Sequence, residues 1–393
     1  MAGERLWTIG FINLLAFDVI YQFGAYMTNT VISVYAVTLG ATYAVAGLMA
    51  GLNPGASMAS RPFTGLIADA VSKKMLLVAS AMLFLAATLG CALFESLALI
   101  GACRVLQGVS FALRSVCVVA LVARVVPESR LHSGMGWMGL SSVVSTAVGP
   151  LISQQVGTVV GYRESFFIAS GLLAVGVVLA LAFRRPPRSD DGPRHRLSLR
   201  QLREAASLNS FIYRPNISFT VMAGLSGVPQ GASVALIILA ADQRGIGGAT
   251  LFFTAYALAA LMGRPFMGRL ADVLGARRIV APLFAVELAS VVVLGFMADT
   301  AMIVIGGFLL GVGQGSLYPV LQAESVAGVP PEAMGRAANT FYIGPDINMC
   351  LSPIIGSILL GSFGVGALYA FGGVAVVLAF ALFVWRIRNS QTA

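Results

Sequence analysis

The chain has 393 residues, of which 58% are hydrophobic and only 10% charged, against roughly a quarter charged in an ordinary soluble domain. That composition excludes a water-soluble fold and predicts an all-α membrane protein. The formal net charge of +9 would suit an anionic partner such as nucleic acid or lipid, so the positions of the charges must decide what it means.

Met1 to Trp7 lead straight into the first apolar segment without a small-residue cleavage site, so that segment is expected to remain as a signal-anchor helix. Apolar runs recur at 6–29, 41–68, 75–94, 97–123, 133–157, 164–183, 209–238, 249–271, 278–297, 300–321, 336–361 and 365–386. Each is long enough to cross a hydrocarbon layer of about 30 Å. The even number of predicted spans puts both chain ends on one side. All cations except Arg104, Arg114, Arg163 and Arg244 lie at the chain start, in loops after even-numbered spans, at the adjoining helix ends or in the tail. Those segments are therefore assigned to the cytoplasm. Basic charge here reports orientation, and no nucleic acid is expected as a partner.

A polar stretch, RRPPRSDDGPRHRLSLRQLREAAS, begins at Arg184 and divides the chain into 1–183 and 209–393. It is expected to be a cytoplasmic linker, 184–208, with a short amphipathic helix. Its arginines would enforce topology, against a regulatory or lipid-headgroup role. The cysteines Cys91, Cys103, Cys117 and Cys350 lie inside or at the ends of apolar runs without ligand spacing and are expected to pack. His132 and His195 are the only histidines, and neither an HExxH pair nor a GKS or GKT phosphate loop occurs. No enzyme activity, metal or cofactor is therefore expected.

The two halves repeat. A shift of 203 residues aligns Arg61-Pro62-Phe63 with Arg264-Pro265-Phe266, Gly65 with Gly268, Ala68 with Ala271, and Asp69 with Asp272. The same shift sets Gly108 on Gly311 and Pro150 on Pro353. Six spans separate equivalent segments, so both copies run in one direction, the parallel repeat associated with two halves rocking about a central site.

The loops GLIADAVSKK and GRLADVLGARR that follow the second and eighth spans are similar to the Gly-x-Leu-Ala-Asp-Arg-x-Gly-Arg-Lys motif of the major facilitator superfamily. The chain resembles that superfamily over nearly its whole length. The first copy departs at Ala70 and Ser72. The resemblance implies a major facilitator fold of two six-helix bundles, probed from both faces by alternating access, and a monomer in the inner membrane. It assigns gating roles to Gly65, Asp69, Lys73, Lys74, Gly268, Asp272, Arg277 and Arg278, joined by Arg61 and Arg264. Each of those two arginines stands eight residues before the acid of its copy, roughly 12 Å along a helix.

Within the fourth span, Arg104, Gln107, Gly108 and Ala112 resemble a second family motif, and Arg104, Gln107, Phe111 and Arg114 share one helical face. A charge near the bilayer centre costs at least about 2.5–3.5 kcal/mol and needs a partner. Asp18 in the first span is the expected partner of Arg104, because these two helices line the cavity in the superfamily, and the expected proton carrier. Burial and a guanidinium pull a carboxyl's proton affinity in opposite directions; the bland reading is a permanent structural pair. Asp346, between Pro345 and Pro353, is the second candidate for proton coupling. Glu287 falls in a span that is peripheral in the superfamily and is read as packing, oligomer contact or lipid-facing. Gly149-Pro150, a further gating candidate, resembles part of a motif of exporters, and small residues there also let helices approach.

Arg114, Gln107, Tyr21, Gln22, Gln314, Tyr318 and Tyr342 are the candidate substrate contacts, with Tyr26, Asn29 and Asn339 in the same region. The leading function is proton-coupled efflux of a small organic or amphipathic molecule. The alternatives are a proton-coupled importer of an organic anion held by Arg104 and Arg114, and a transporter-fold receptor without flux. Protons, the substrate and membrane lipid are the expected partners.

Overall fold

The computed structural model of the protein describes residues 6–127, 131–183, 212–274, 276–326, 329 and 334–391. The linker 184–208 and its proposed helix lie outside them. Among the described residues there is no strand. A backbone crossing hydrocarbon must satisfy its own amides, which helices do internally.

The first part of the chain forms α1 (Ile9–Thr38), α2 (Tyr43–Ala70), α3 (Lys73–Leu93), α4 (Leu97–Val125), α5 (Leu131–Val159) and α6 (Tyr162–Ala182). After a 3-10 turn at Arg214–Asn216 come α7 (Ile217–Ser226), α8 (Val228–Gln243), α9 (Leu251–Leu274), α10 (Ala276–Gly295), α11 (Thr300–Val326), α12 (Met334–Phe363) and α13 (Val365–Gln391). Nine segments among the described residues are long and apolar enough on their own to cross a membrane, α7 and α8 together making one of them.

Two departures from the predicted spans have local causes. α1 continues past the predicted end at residue 29 to Thr38. Its polar side chains are satisfied where they stand: Thr28 and Thr30 bond carbonyls of their own helix, and Asn29 accepts from Arg104. The predicted span 209–238 begins later and is broken. Gly227 separates α7 from α8, and Pro229 occupies the first turn of α8, where its missing amide hydrogen costs no helical bond.

The chain groups into two compact units. One is Met1–Val31 with Ala56–Leu208, and the other is Ile32–Gly55 with Asn209–Ala393. The core of the first includes Phe11, Phe17, Phe84, Leu121 and Phe183. That of the second includes Met222, Phe284, Leu317, Phe341 and Val376. The repeat is visible in which positions are buried. On α3, Leu76, Leu77, Ser80, Phe84 and Ala87 are buried, and so are Ile279, Val280, Leu283, Glu287 and Ser290 at the equivalent positions of α10. On α4 and α11, Arg104 matches Gly307, Gln107 matches Leu310, and Arg114 matches Leu317, all buried.

In the second unit α7 and α12 meet through Gly224 and Gly344. A Cβ on Gly344 would stand 2.0 Å from the Thr220 carbonyl oxygen, inside any tolerable contact. Gly344→Ala is therefore expected to force the two helices apart and destabilise the protein by about 1–3 kcal/mol, read as a lower unfolding midpoint in detergent. An unchanged midpoint would show that the crossing has slack.

Candidate transport site

The charged centre of the first unit lies between α1, α4 and α5. Arg114 on α4 donates from Nη1 to Asp18 Oδ1 on α1, with both side chains buried. Ser141 Oγ on α5 lies 2.6 Å from Asp18 Oδ2 and 2.7 Å from the Met138 carbonyl oxygen. One hydroxyl hydrogen serves one of these acceptors at a time. The Arg114 guanidinium carbon stands 4.9 Å from the ring centroids of both Tyr21 and Phe111, so two aromatic faces support the cation that Asp18 neutralises. Arg114 Nε is buried without an acceptor.

Tyr21 is fixed by this setting. Its hydroxyl is 2.7 Å from Ser110 Oγ, which itself lies 2.6 Å from the Ser80 carbonyl oxygen. Ser110 thus accepts from the phenol and donates to the carbonyl. Phe84 packs against the Tyr21 ring at 4.7 Å.

The pairing expected between Asp18 and Arg104 is not the one formed. α1 and α4 run antiparallel, so residues advance along one as they recede along the other. Tyr21 meets Ser110, Asp18 meets Arg114, and Asn29 meets Arg104. Asp18 and Asn29 are separated by eleven residues of α1, roughly 16 Å. Arg104 belongs to a second network: Nη1 donates at 2.8 Å to both Asn29 Oδ1 and Gln107 Oε1, and Gln107 Nε2 donates at 2.9 Å to Thr88 Oγ1. Gln22 is buried on α1.

Other candidates are spread through the second unit. Tyr318 rests against Phe341 with ring centroids 5.4 Å apart, and Gln322 Nε2 donates to the Tyr342 hydroxyl at 2.7 Å. Asp346 is half-buried one turn after Tyr342 on α12. Gln314 is buried with its amide oxygen unpartnered. Glu287 has no solvent exposure, which excludes the lipid-facing and oligomer-contact readings and leaves an interior position. A cavity of about 390 Å³ opens between α7, α8, α12 and α13, within the range of small-molecule pockets. Its walls are apolar, as at Val221, Leu351 and Leu378, with Thr220, Asn348 and Ser352 the polar members. None of the candidate substrate contacts lines it.

Among the gating residues, Lys74 Nζ donates to the Leu181 carbonyl oxygen at 2.8 Å, placing a cation at the C-terminal end of α6. Lys73 is the first residue of α3, and Ser72 caps that helix by accepting from the Met75 amide at 3.2 Å. Arg61 is half-buried and Arg278 exposed. The side chains of Gly65, Asp69, Arg264, Gly268, Asp272, Arg277 and Asn339 lie outside the described residues. Gly149 marks a close crossing of α1 and α5, since a Cβ there would stand 3.1 Å from Tyr26 Cβ; Pro150 lies next to it inside α5. Sequence reasoning passed over Ser110, Ser141 and Thr88, which single serines and threonines in apolar helices do not distinguish from packing residues.

Residues 14–254 and 219–393 match the family model of the Major Facilitator Superfamily. The chain belongs to that superfamily. It is similar to "Multidrug resistance protein MdtG" of Serratia proteamaculans (strain 568), at 25% identity over 98% of this chain and 93% of the relative. The protein of that name from Dickeya zeae (strain Ech586) is 25% identical over 84% of this chain and 81% of the relative. Among solved structures, a peptide transporter POT superposes with a TM-score of 0.83 at 14% identity, covering 98% of this chain and 97% of the other. The nucleoside transporter NupG superposes at 0.74 with 12% identity, covering 96% and 99%. The protein is therefore an integral membrane secondary transporter of the major facilitator fold, and not an enzyme.

The register between α1 and α4 yields a stability test. Arg114→Met leaves the Asp18 carboxylate buried without its cation and is expected to cost about 3–5 kcal/mol. Adding Asp18→Asn to that variant is expected to recover a large part of the loss. Equal unfolding midpoints for the single and double variants would show that the two side chains are not coupled.

Proposed function

We propose that the transporter exports a small organic or amphipathic molecule from the cytoplasm in exchange for protons, by alternating access, and that Asp18 carries the proton. The observation that carries this reading is the buried Asp18–Arg114 pair with Ser141 against its second oxygen. A proton on Asp18 removes the charge that holds Arg114, while the Tyr21 and Phe111 faces remain to support the guanidinium. The pair is thus a junction of α1, α4 and α5 that protonation opens and deprotonation closes.

The names of the relatives support export, and the apolar cavity of the second unit suits the hydrocarbon part of an amphipathic cargo. In this reading the chain works as 1–183, linker 184–208 and 209–393, a monomer in the bacterial cytoplasmic membrane with both ends in the cytoplasm. Asp346 and Arg104 assist proton coupling. The glycines and charges at the ends of the second and eighth spans set the balance between inward- and outward-open states.

In inverted vesicles an inside-acid gradient is expected to drive substrate uptake. Asp18→Asn is expected to reduce that driven flux to background while substrate exchange without a gradient persists. Gradient-driven flux that survives in Asp18→Asn would remove Asp18 as the carrier, and no drive in the wild type would remove antiport.

A further inference from the structure

The cavity of the second unit has an open, apolar lip. Val374 and Leu378 on α13 and Leu351 on α12 line it and are 61, 54 and 46% exposed. Another side of α12 is taken by α2: Cβ atoms built on Gly47 and Gly51 would stand 2.4 and 2.5 Å from the carbonyl oxygens of Pro353 and Cys350. The lip lies away from that contact, and exposed apolar side chains on membrane-crossing helices meet lipid tails. The polar members of the wall are engaged within the protein. The Thr220 hydroxyl is 3.0 and 2.8 Å from the Asn216 and Thr340 carbonyl oxygens, and Ser352 donates to Asn348 Oδ1.

One end of this groove is cationic. Arg386 on α13 donates from Nη1 to Ser218 Oγ on α7, and its guanidinium carbon stands 4.1 Å from the Phe219 ring centroid. Ser218 is one turn before Val221, which lines the cavity, so the cation is held at the mouth. Of the apolar segments long enough to cross a membrane, one begins at Arg214 and another ends at Arg386. Both arginines therefore stand at one membrane face, with the exposed Trp385 at the same level. The start of α12 reaches this face too, since Asn216 Nδ2 donates to the Ala337 carbonyl oxygen at 3.0 Å.

Charge is sorted along the groove helices. From Arg214 to Gln243 and through α12 and α13, the cations are Arg214, Arg336, Arg386 and Arg388, all at this end. The acids are Asp242 and Asp346. Asp242 lies at the opposite end of α8, and Asp346 falls on the Cys350 side of α12, one turn before it. Apolar walls with guanidiniums at the membrane-surface end match an acyl chain joined to a phosphate.

We propose that this groove binds an anionic phospholipid from the leaflet on the Arg386 side. One acyl chain fills the cavity, the phosphate meets Arg386, and Arg214 and Arg388 draw the negative headgroup. A cargo chain entering the cavity would displace the lipid. The site needs no transport to be tested.

The full chain is purified, stripped of lipid in detergent, and its unfolding midpoint measured against added phosphatidylglycerol, with phosphatidylcholine of the same acyl chains in parallel. A ligand of the folded form raises the midpoint with its concentration. Phosphatidylglycerol is expected to give half its effect at about tenfold lower concentration than phosphatidylcholine. Arg386→Gln is expected to remove that preference, and Arg386→Lys to keep part of it. Val374→Trp fills the groove from an exposed position; it is expected to raise the half-effect concentration about tenfold and serves if Arg386→Gln does not fold. Equal responses to the two lipids, or a preference that survives Arg386→Gln, would overturn the headgroup contact. A response to glycerol 1-phosphate equal to that of the lipid, or a lipid response unaltered in Val374→Trp, would overturn the acyl-chain site. A midpoint raised by the amphipathic cation tetraphenylphosphonium but by neither lipid would give the groove to cargo and overturn the proposal.

Discussion

An ion pair placed where hydrocarbon surrounds the protein constrains everything near it. Asp18 and Arg114 are buried in helices that cross the membrane, where a lone charge of either sign would be expelled or neutralised. Their coexistence therefore requires each to hold the other. It also requires α1 and α4 to keep one register, because a shift of one turn along either helix would carry the partners about 5 Å apart. The Ser141 hydroxyl and the rings of Tyr21 and Phe111 stand against this pair, and Ser110 and Phe84 hold Tyr21 in place. The first unit is thus organised around a polar centre sealed by aromatic side chains.

The second unit shares the backbone plan without the chemistry. At equivalent positions Thr88 becomes Val291, Arg104 becomes Gly307, Gln107 becomes Leu310, Arg114 becomes Leu317 and Ser141 becomes Gly344. These five positions are buried in both copies, so at them the fold is indifferent to whether the site is ionic, apolar or empty. Close packing takes over where charges are missing, as at the Gly224–Gly344 crossing. The polar residues that the second unit gains, Glu287 and Gln314, stand where the first has rings. The polar side chains of the two copies are therefore drawn from different positions of the same plan.

Much of the fold could be read from residues alone, because a bilayer leaves a chain few options. Hydropathy located the spans, and the glycine, proline and arginine matches between halves exposed the repeat. The partner of Asp18 was less accessible. Arg104 and Arg114 share a helical face, and choosing between them needs the axial offset of α1 against α4, which no periodicity records. The length of α1 was hidden because Asn29 and Thr30 lower local hydropathy, although both are satisfied inside the bundle. The interruption at Gly227 was signalled by Pro229, but a proline in an apolar run equally marks a kink. For Glu287 the general arrangement of a superfamily left packing, oligomer contact and lipid exposure open, and its burial, which agrees with the first, depends on which side of α10 faces α11.

The break between α7 and α8 has a mechanical consequence. α1 is one continuous rod of 30 residues, so a tilt imposed at one end is transmitted along its whole length like a lever. The first crossing of the second unit consists of two shorter rods joined at one glycine. Its bend can change through a few dihedral angles while both ladders of amide bonds stay intact. That bend lies beside the cavity formed with α12 and α13, so a molecule lodged there would press on the joint between the two rods.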